Sequence, residues 1–194
     1  MVVNILQAQK NPARNASQGD AGGDRVLREN TKEIPIREIT TPKIKKVLRE
    51  MSLALRSQGD GVAIAAPQIG YPLSVFVVSG KIFHKDFVKG LGEFEKIPKK
   101  ELPKDLVFIN PKISKLSREK EWVPEGCLSV RWLYGKTFRS TKATLTAYDE
   151  NGKKFTRGAS GLLAQIFQHE TDHLKGILFI DQAKDIKEEL PQVK

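Results

Sequence analysis

The sequence predicts an α+β fold, with short and mostly antiparallel β-sheets packed around a central helix that carries an H-E-x-x-H motif. Three observations predict it. Apolar residues recur at helical spacing in two segments, one beginning near Pro42 and one near Ser160. Between them lie apolar runs of strand length, Val75–Val78 and Leu106–Ile109. Lys142–Tyr148 then alternates apolar and polar residues, Asn151-Gly152 supplies a turn and Lys153–Thr156 returns, which is a hairpin.

In chain order, Val2–Leu6 has strand character, and 11–24, rich in Gly, Asn, Asp and Ser, reads as a mobile loop. Thr41 is placed to cap the first helix, with Pro42 at its first position. Ile44, Val47, Leu48, Met51 and Leu55 form its apolar stripe, and Gly59 marks the end. The lysine-rich stretch 80–104 resembles a surface insertion, and the Trp-Val-Pro before Glu125 suggests an extended segment. Ser160 caps the second helix, which runs to about Lys175 before Gly176 ends it. Residues 182–194 form a polar tail. A chain of 194 residues suits a single domain.

Composition narrows the class. With 39% apolar and 29% charged residues the chain reads as a globular protein. No apolar run is long enough to span a membrane, and the first residues do not read as a secretory signal. Cys127 is the one cysteine, so no internal disulfide forms, which suits a reducing cytoplasm. The net charge of +10 is concentrated in the first 120 residues, with 22 basic and 13 acidic side chains. A solvated basic surface is favoured over specific RNA binding, and no DNA partner or membrane is expected.

The chemistry lies in His169-Glu170-Thr171-Asp172-His173. Four residues apart on a helix, two imidazoles share one face and reach one ion, and Glu170 beside the first ligand can act as general base. A catalytic site needs a third protein ligand and an open position for water. The extended metalloprotease pattern fits through Gly176, but Phe179 stands where its third histidine belongs. A zincin that takes a later glutamate has only Glu188 and Glu189, in the polar tail; that reading stays as a minor alternative. A lone cysteine is more often an inert buried thiol, but beside an incomplete histidine pair Cys127 becomes the candidate third ligand.

Three motifs together resemble the peptide deformylase family. Gly61–Gln68 (GVAIAAPQ) is similar to its first motif, Glu125–Ser129 (EGCLS) matches its second, and His169–His173 matches its third, followed by a Gly-Ile-Leu-Phe-Ile-Asp run. The order and spacing are the family's, from about Val26 to Asp181. The resemblance implies removal of the formyl group from N-formylmethionyl nascent peptides, releasing formate. It implies metal on Cys127, His169 and His173, Glu170 as general base, and the Gln68 side chain with the Leu128 backbone N–H as oxyanion donors. Gly61, Val62 and Gly126 are expected to meet the substrate backbone. Ferrous iron is the implied metal, with zinc, nickel or cobalt able to substitute, and transient contact with the ribosome is expected. Two positions depart from the pattern: Ala63 replaces the second glycine of the first motif, and Thr171 replaces an apolar residue. Leu162 and Phe167 are candidates for the methionine pocket, with core packing favoured for most such residues. Gln165 is placed to narrow or wet that pocket, and Arg139 with Asp172 to orient a ligand.

Overall fold

The computed structural model describes residues 3–8, 23–88 and 102–191. Helices α1 (Gly23–Arg28), α2 (Pro42–Arg56), α3 (Lys85–Val88) and α4 (Gly161–His173) accompany eight strands. These are β1 (Ala63–Ala65), β2 (Val75–Val78), β3 (Leu106–Leu116), β4 (Lys120–Gly126), β5 (Leu133–Ser140), β6 (Lys142–Tyr148), β7 (Lys154–Ser160) and β8 (Lys184–Glu188). One sheet has the order β1-β2-β3-β6-β7 and the other β4-β5-β8, and every strand pair is antiparallel. The predicted α+β class is the observed one.

The apolar runs of β2 and β3 lack alternation because both faces of their sheet are covered. Val75, Val77, Ile64 and Ile109 pack with the stripe of α2 (Ile44, Val47, Leu48, Met51, Leu55). Phe76, Val78, Phe108 and Leu145 pack with Ala164 and Phe167 of α4. Beneath α4 the rings of Phe76 and Phe108 stack at 4.7 Å, and Phe167 meets Phe108 edge-on at 5.1 Å. Gln168 adds a polar clamp, accepting from Ser140 N at 2.9 Å and donating to Ser140 O at 3.0 Å. The helix is thereby fixed against the ends of both sheets.

Several expectations are corrected. The described part of the predicted first strand, 3–6, is irregular, tied by Leu6 N–H to Gln68 O at 2.7 Å. Most of the 11–24 loop lies outside the described residues, but Gly23 and Asp24 begin α1. Thr41 precedes α2 as expected, yet its hydroxyl donates backwards to Glu38 O at 2.7 Å and leaves the helix N–H groups uncapped by its side chain. Ser160 likewise makes no side-chain cap, and α4 ends at His173, two residues early. The strand predicted at Leu106–Ile109 is β3 and continues past Ile109 to Leu116. Asn110-Pro111 forms an irregularity, with Asn110 at φ 50° and its side-chain amide paired to Ile34 N and O. Residues 80–104 are not simply a surface insertion, since Gly80, Lys81 and Ile82 are buried; 89–101 lie outside the described residues. The supposed tail supplies β8, because its backbone completes the exposed edge of β5.

Gly176 ends the helical segment at φ 70°, with Ile177 N–H returning to Asp172 O at 3.0 Å. A Cβ there would collide with the Arg28 carbonyl in addition to the left-handed strain. Gly176→Ala is expected to lower stability by about 2–4 kcal/mol. Denaturant unfolding should show a reduced midpoint at unchanged slope; an unaltered midpoint would show that the turn relaxes freely.

Candidate metal centre

Three elements converge at one end of α4. Cys127 follows directly on β4, His169 and His173 face it from α4, and Gln68 lies in the 3₁₀ turn Ala66–Ile69 that follows β1. The candidate ligand atoms of Cys127, His169 and His173 all lie within 4.8 Å of one another. Cys127 Sγ is 3.1 Å from His173 Nε2. The two imidazole rings meet edge-on with centroids 4.8 Å apart. Sulfur and nitrogen ligands at roughly 2.3 and 2.0 Å from a tetrahedral ion sit about 3.5 Å apart, so the set fits a single transition metal. The chemistry fits as well, since thiolate and imidazole suit zinc, iron, cobalt or nickel.

His169 is oriented from behind. Its Nδ1 lies 2.7 Å from Glu125 Oε1, which assigns the ring proton to Nδ1 and leaves Nε2 for the ion. Glu125, at the end of β4, also accepts from Arg139 Nη2 at 2.7 Å, Arg139 Nε at 3.1 Å and Thr137 Oγ1 at 2.6 Å. Arg139 Nη1 donates to Asp172 Oδ2 at 2.6 Å. Burial pushes the Glu125 carboxyl up, but His169 and Arg139 outweigh it and hold the group well below the usual carboxylate range. His173 is pushed well below an ordinary histidine, first by burial and then by neighbouring positive charge, which keeps it in the neutral form that ligates.

Glu170 has a different environment. It is 3% exposed, its Oε2 has no hydrogen-bond partner among the described residues, and burial with the nearby Glu125 charge raises its pKa to about 7. It borders a cavity of about 350 Å³ with Cys127 and His169. Gln68 reaches the same cavity in a fixed orientation. Its Oε1 accepts from Ala65 N at 2.8 Å, so its Nε2 points to Ser129 Oγ at 3.2 Å and Cys127 Sγ at 3.6 Å.

The remaining expected residues fall around this space. Gly61, Val62, Gly126 and Leu128 all line the cavity. A side chain at Gly61 would press on Leu55, Gln58 and Leu128 at 3.1–3.2 Å, and one at Gly126 would meet the Tyr134 ring at 2.8 Å. The Val62 carbonyl already accepts from Ser79 N at 2.8 Å. Ala63 is 6% exposed in β1 and packs with the Phe76–Phe167 cluster. Thr171 donates to Phe167 O at 2.7 Å within its own helix, which satisfies its hydroxyl. Leu162 lines the cavity, whereas Phe167 is fully buried core. Gln165 lines it too and donates to Pro124 O at 2.8 Å. Arg139 does pair with Asp172, but Glu125 as the link to His169 was missed, along with Thr137 and Ser129. Glu125 stood inside a named motif, and a carboxylate two residues before a ligand was the available signal.

The chain is similar to known proteins along most of its length. Residues 21–189 match the profile of the family described as Polypeptide deformylase. A peptide deformylase from Christiangramia forsetii is 37% identical over 90% of this chain and 85% of that protein. Chloroplastic peptide deformylase 1A of Solanum lycopersicum is 37% identical over 82% of this chain, which spans 57% of the plant protein's length. The crystal structure of a peptide deformylase from Synechococcus elongatus in complex with actinonin superposes with a TM-score of 0.66 at 31% identity, covering 95% of this chain and 87% of that one. The fold and the Cys127, His169 and His173 cluster are thus those of an α+β protein with a candidate metal centre. The chain belongs to the polypeptide deformylase family, enzymes that remove the N-formyl group from nascent polypeptides.

Among the described residues no helix is long and apolar enough to cross a membrane. Because Glu125 fixes the His169 tautomer, Glu125→Gln is expected to weaken metal binding by about 10- to 100-fold. Competition against a chelator, run well below the variant's melting temperature, reads this directly. Unchanged affinity in a folded variant would remove Glu125 from the site.

Proposed function

We propose that this chain hydrolyses the formyl amide of N-formylmethionyl nascent peptides, and that Cys127, His169 and His173 hold the one divalent metal it uses. The observation that carries this reading is the convergence of one thiol and two imidazoles beside the buried Glu170 carboxylate, whose Oε2 has no hydrogen-bond partner among the described residues. A divalent ion held there supplies Lewis acidity that lowers the pKa of water. The chain's own groups do the rest.

Glu170 takes the proton of the attacking water on a carboxylate oxygen and passes it to the departing amine nitrogen. Its low exposure and raised pKa suit a group that must both accept and release a proton near neutral pH. As the formyl carbon becomes tetrahedral, negative charge collects on its oxygen. Gln68 Nε2, held in place through Ala65, and the Leu128 backbone N–H are the donors assigned to it. Collapse breaks the C–N bond and yields formate and the free amine. Gly61, Val62 and Gly126 border the cavity where the peptide backbone would lie, and Leu162 and Ile166 supply apolar wall for the methionine side chain.

Glu170→Ala should keep fold and metal content while losing at least about two orders of magnitude in turnover of formyl-Met-Ala-Ser. Near-normal turnover in the metal-loaded variant would rule out the role.

We assign ferrous iron as the working metal and transient docking at the ribosome as its setting. An iron site with an adjacent thiolate is open to oxidation at metal and sulfur. The iron form should therefore lose activity in air, with added oxygen on Cys127 by mass spectrometry, and the nickel form should outlast it. Equal lifetimes of the two forms would contradict the assignment.

A further inference from the structure

The outer face of the β4-β5-β8 sheet carries a pattern that the catalytic reading does not use. Strand side chains alternate between faces. On β4, Glu125 points inward to Arg139, so Trp122 and Lys120 lie outward; on β5, Lys136 and Phe138 do the same, while Tyr134 at the end of that row borders the catalytic cavity. Trp122 is paired directly with Phe138, their rings 5.2 Å apart, and they are 45% and 52% exposed. Lys184 of β8 lies 4.8 Å from the Trp122 ring, and Lys120 lies 5.8 Å from that of Phe138. Register sets Lys184 against Lys136 and Lys187 against Tyr134. Asp185 pairs with Lys136 at 3.7 Å, while Glu121 and Glu125 alternate onto the other side of β4.

Large rings left out of a core are ordinary when single. A cross-strand pair of them with Lys184 and Lys120 against its rings, and with Lys136 and Lys187 further along the same face, is a stacking platform beside cations. We infer that this face binds single-stranded RNA, with bases stacked on Trp122 and Phe138 and phosphates met by Lys120, Lys136, Lys184 and Lys187. Ring and lysine repeat about every 7 Å along a strand, which lets one oligonucleotide meet both kinds of group in turn. A solvated basic surface, the expectation from composition, accounts for the lysines but not for two solvent-facing rings held in register between them. The platform is not legible in the sequence, because 120–124 and 134–138 meet only through strand pairing and 184–187 only when β8 joins the sheet. The choice of RNA over DNA rests on the deformylase reading, since nascent polypeptides are made on RNA; the platform itself does not.

Fluorescence anisotropy of the full chain with a labelled 12-nucleotide single-stranded RNA at 50 mM salt tests this, with deformylation of formyl-Met-Ala-Ser measured in parallel. Trp122→Ala with Phe138→Ala should weaken binding at least about 10-fold, and Trp122→Phe should retain most of it. Lys120→Gln with Lys184→Gln should lower the slope of log affinity against log salt by about 1.4. Duplex RNA should bind less tightly than the single strand. Turnover should stay unchanged in every variant, so loss of RNA binding with full activity separates this inference from the catalytic one. Equal affinity of the ring variant and the parent would overturn it. So would tighter binding to duplex, or binding to anionic phospholipid vesicles with none to RNA.

Discussion

Glu125 is a carboxylate buried to 4% side-chain exposure, and the geometry of the site follows from the partners it must have there. An ionised carboxylate out of water is tolerated only when its oxygens are matched by donors. Here Arg139 and Thr137 on β5 and His169 on α4 provide them. The same contacts join the small sheet to the helix and fix where His169 Nε2 points. Asp172 extends the chain of charge by holding Arg139, one residue from His173. Positioning of the two imidazoles is thus an electrostatic consequence of one buried acid, with the aromatic layer of Phe76, Phe108 and Phe167 setting the height of the helix beneath them.

Glu125 and Glu170 show how environment divides two carboxylates between two tasks. Both are buried and both belong to the same cluster. Glu125 is surrounded by donors and stays charged, whereas Glu170 has an oxygen without a partner and a raised pKa. A group poised in this way is suited to carry a proton, and a group fully satisfied is suited to hold a neighbour still.

The candidate ligand set was legible in the sequence because helical pitch converts a spacing of four into a shared face, and because there was only one cysteine to consider. The helix α2, the strand Val75–Val78 and the hairpin β6-β7 were legible from periodicity and turn chemistry. What escaped was non-local. Pro111 hid the continuation of β3, since a residue without an N–H reads as a strand end until a bulge accommodates it. The strand β8 has one apolar residue, Ile186, among four charged ones and becomes a strand only because β5 offers it an edge. The role of Glu125 depends on Arg139, fourteen residues away, and on a helix more than forty residues away, a relation that no local pattern encodes.

Cys127 is the proposed third ligand that completes the set begun by the two histidines. X-ray absorption at the metal edge of the purified protein tests it most directly. One metal per chain is expected, bound by one sulfur and two imidazole nitrogens at roughly 2.3 Å and 2.0–2.1 Å if the metal is zinc. A first shell without sulfur would contradict it.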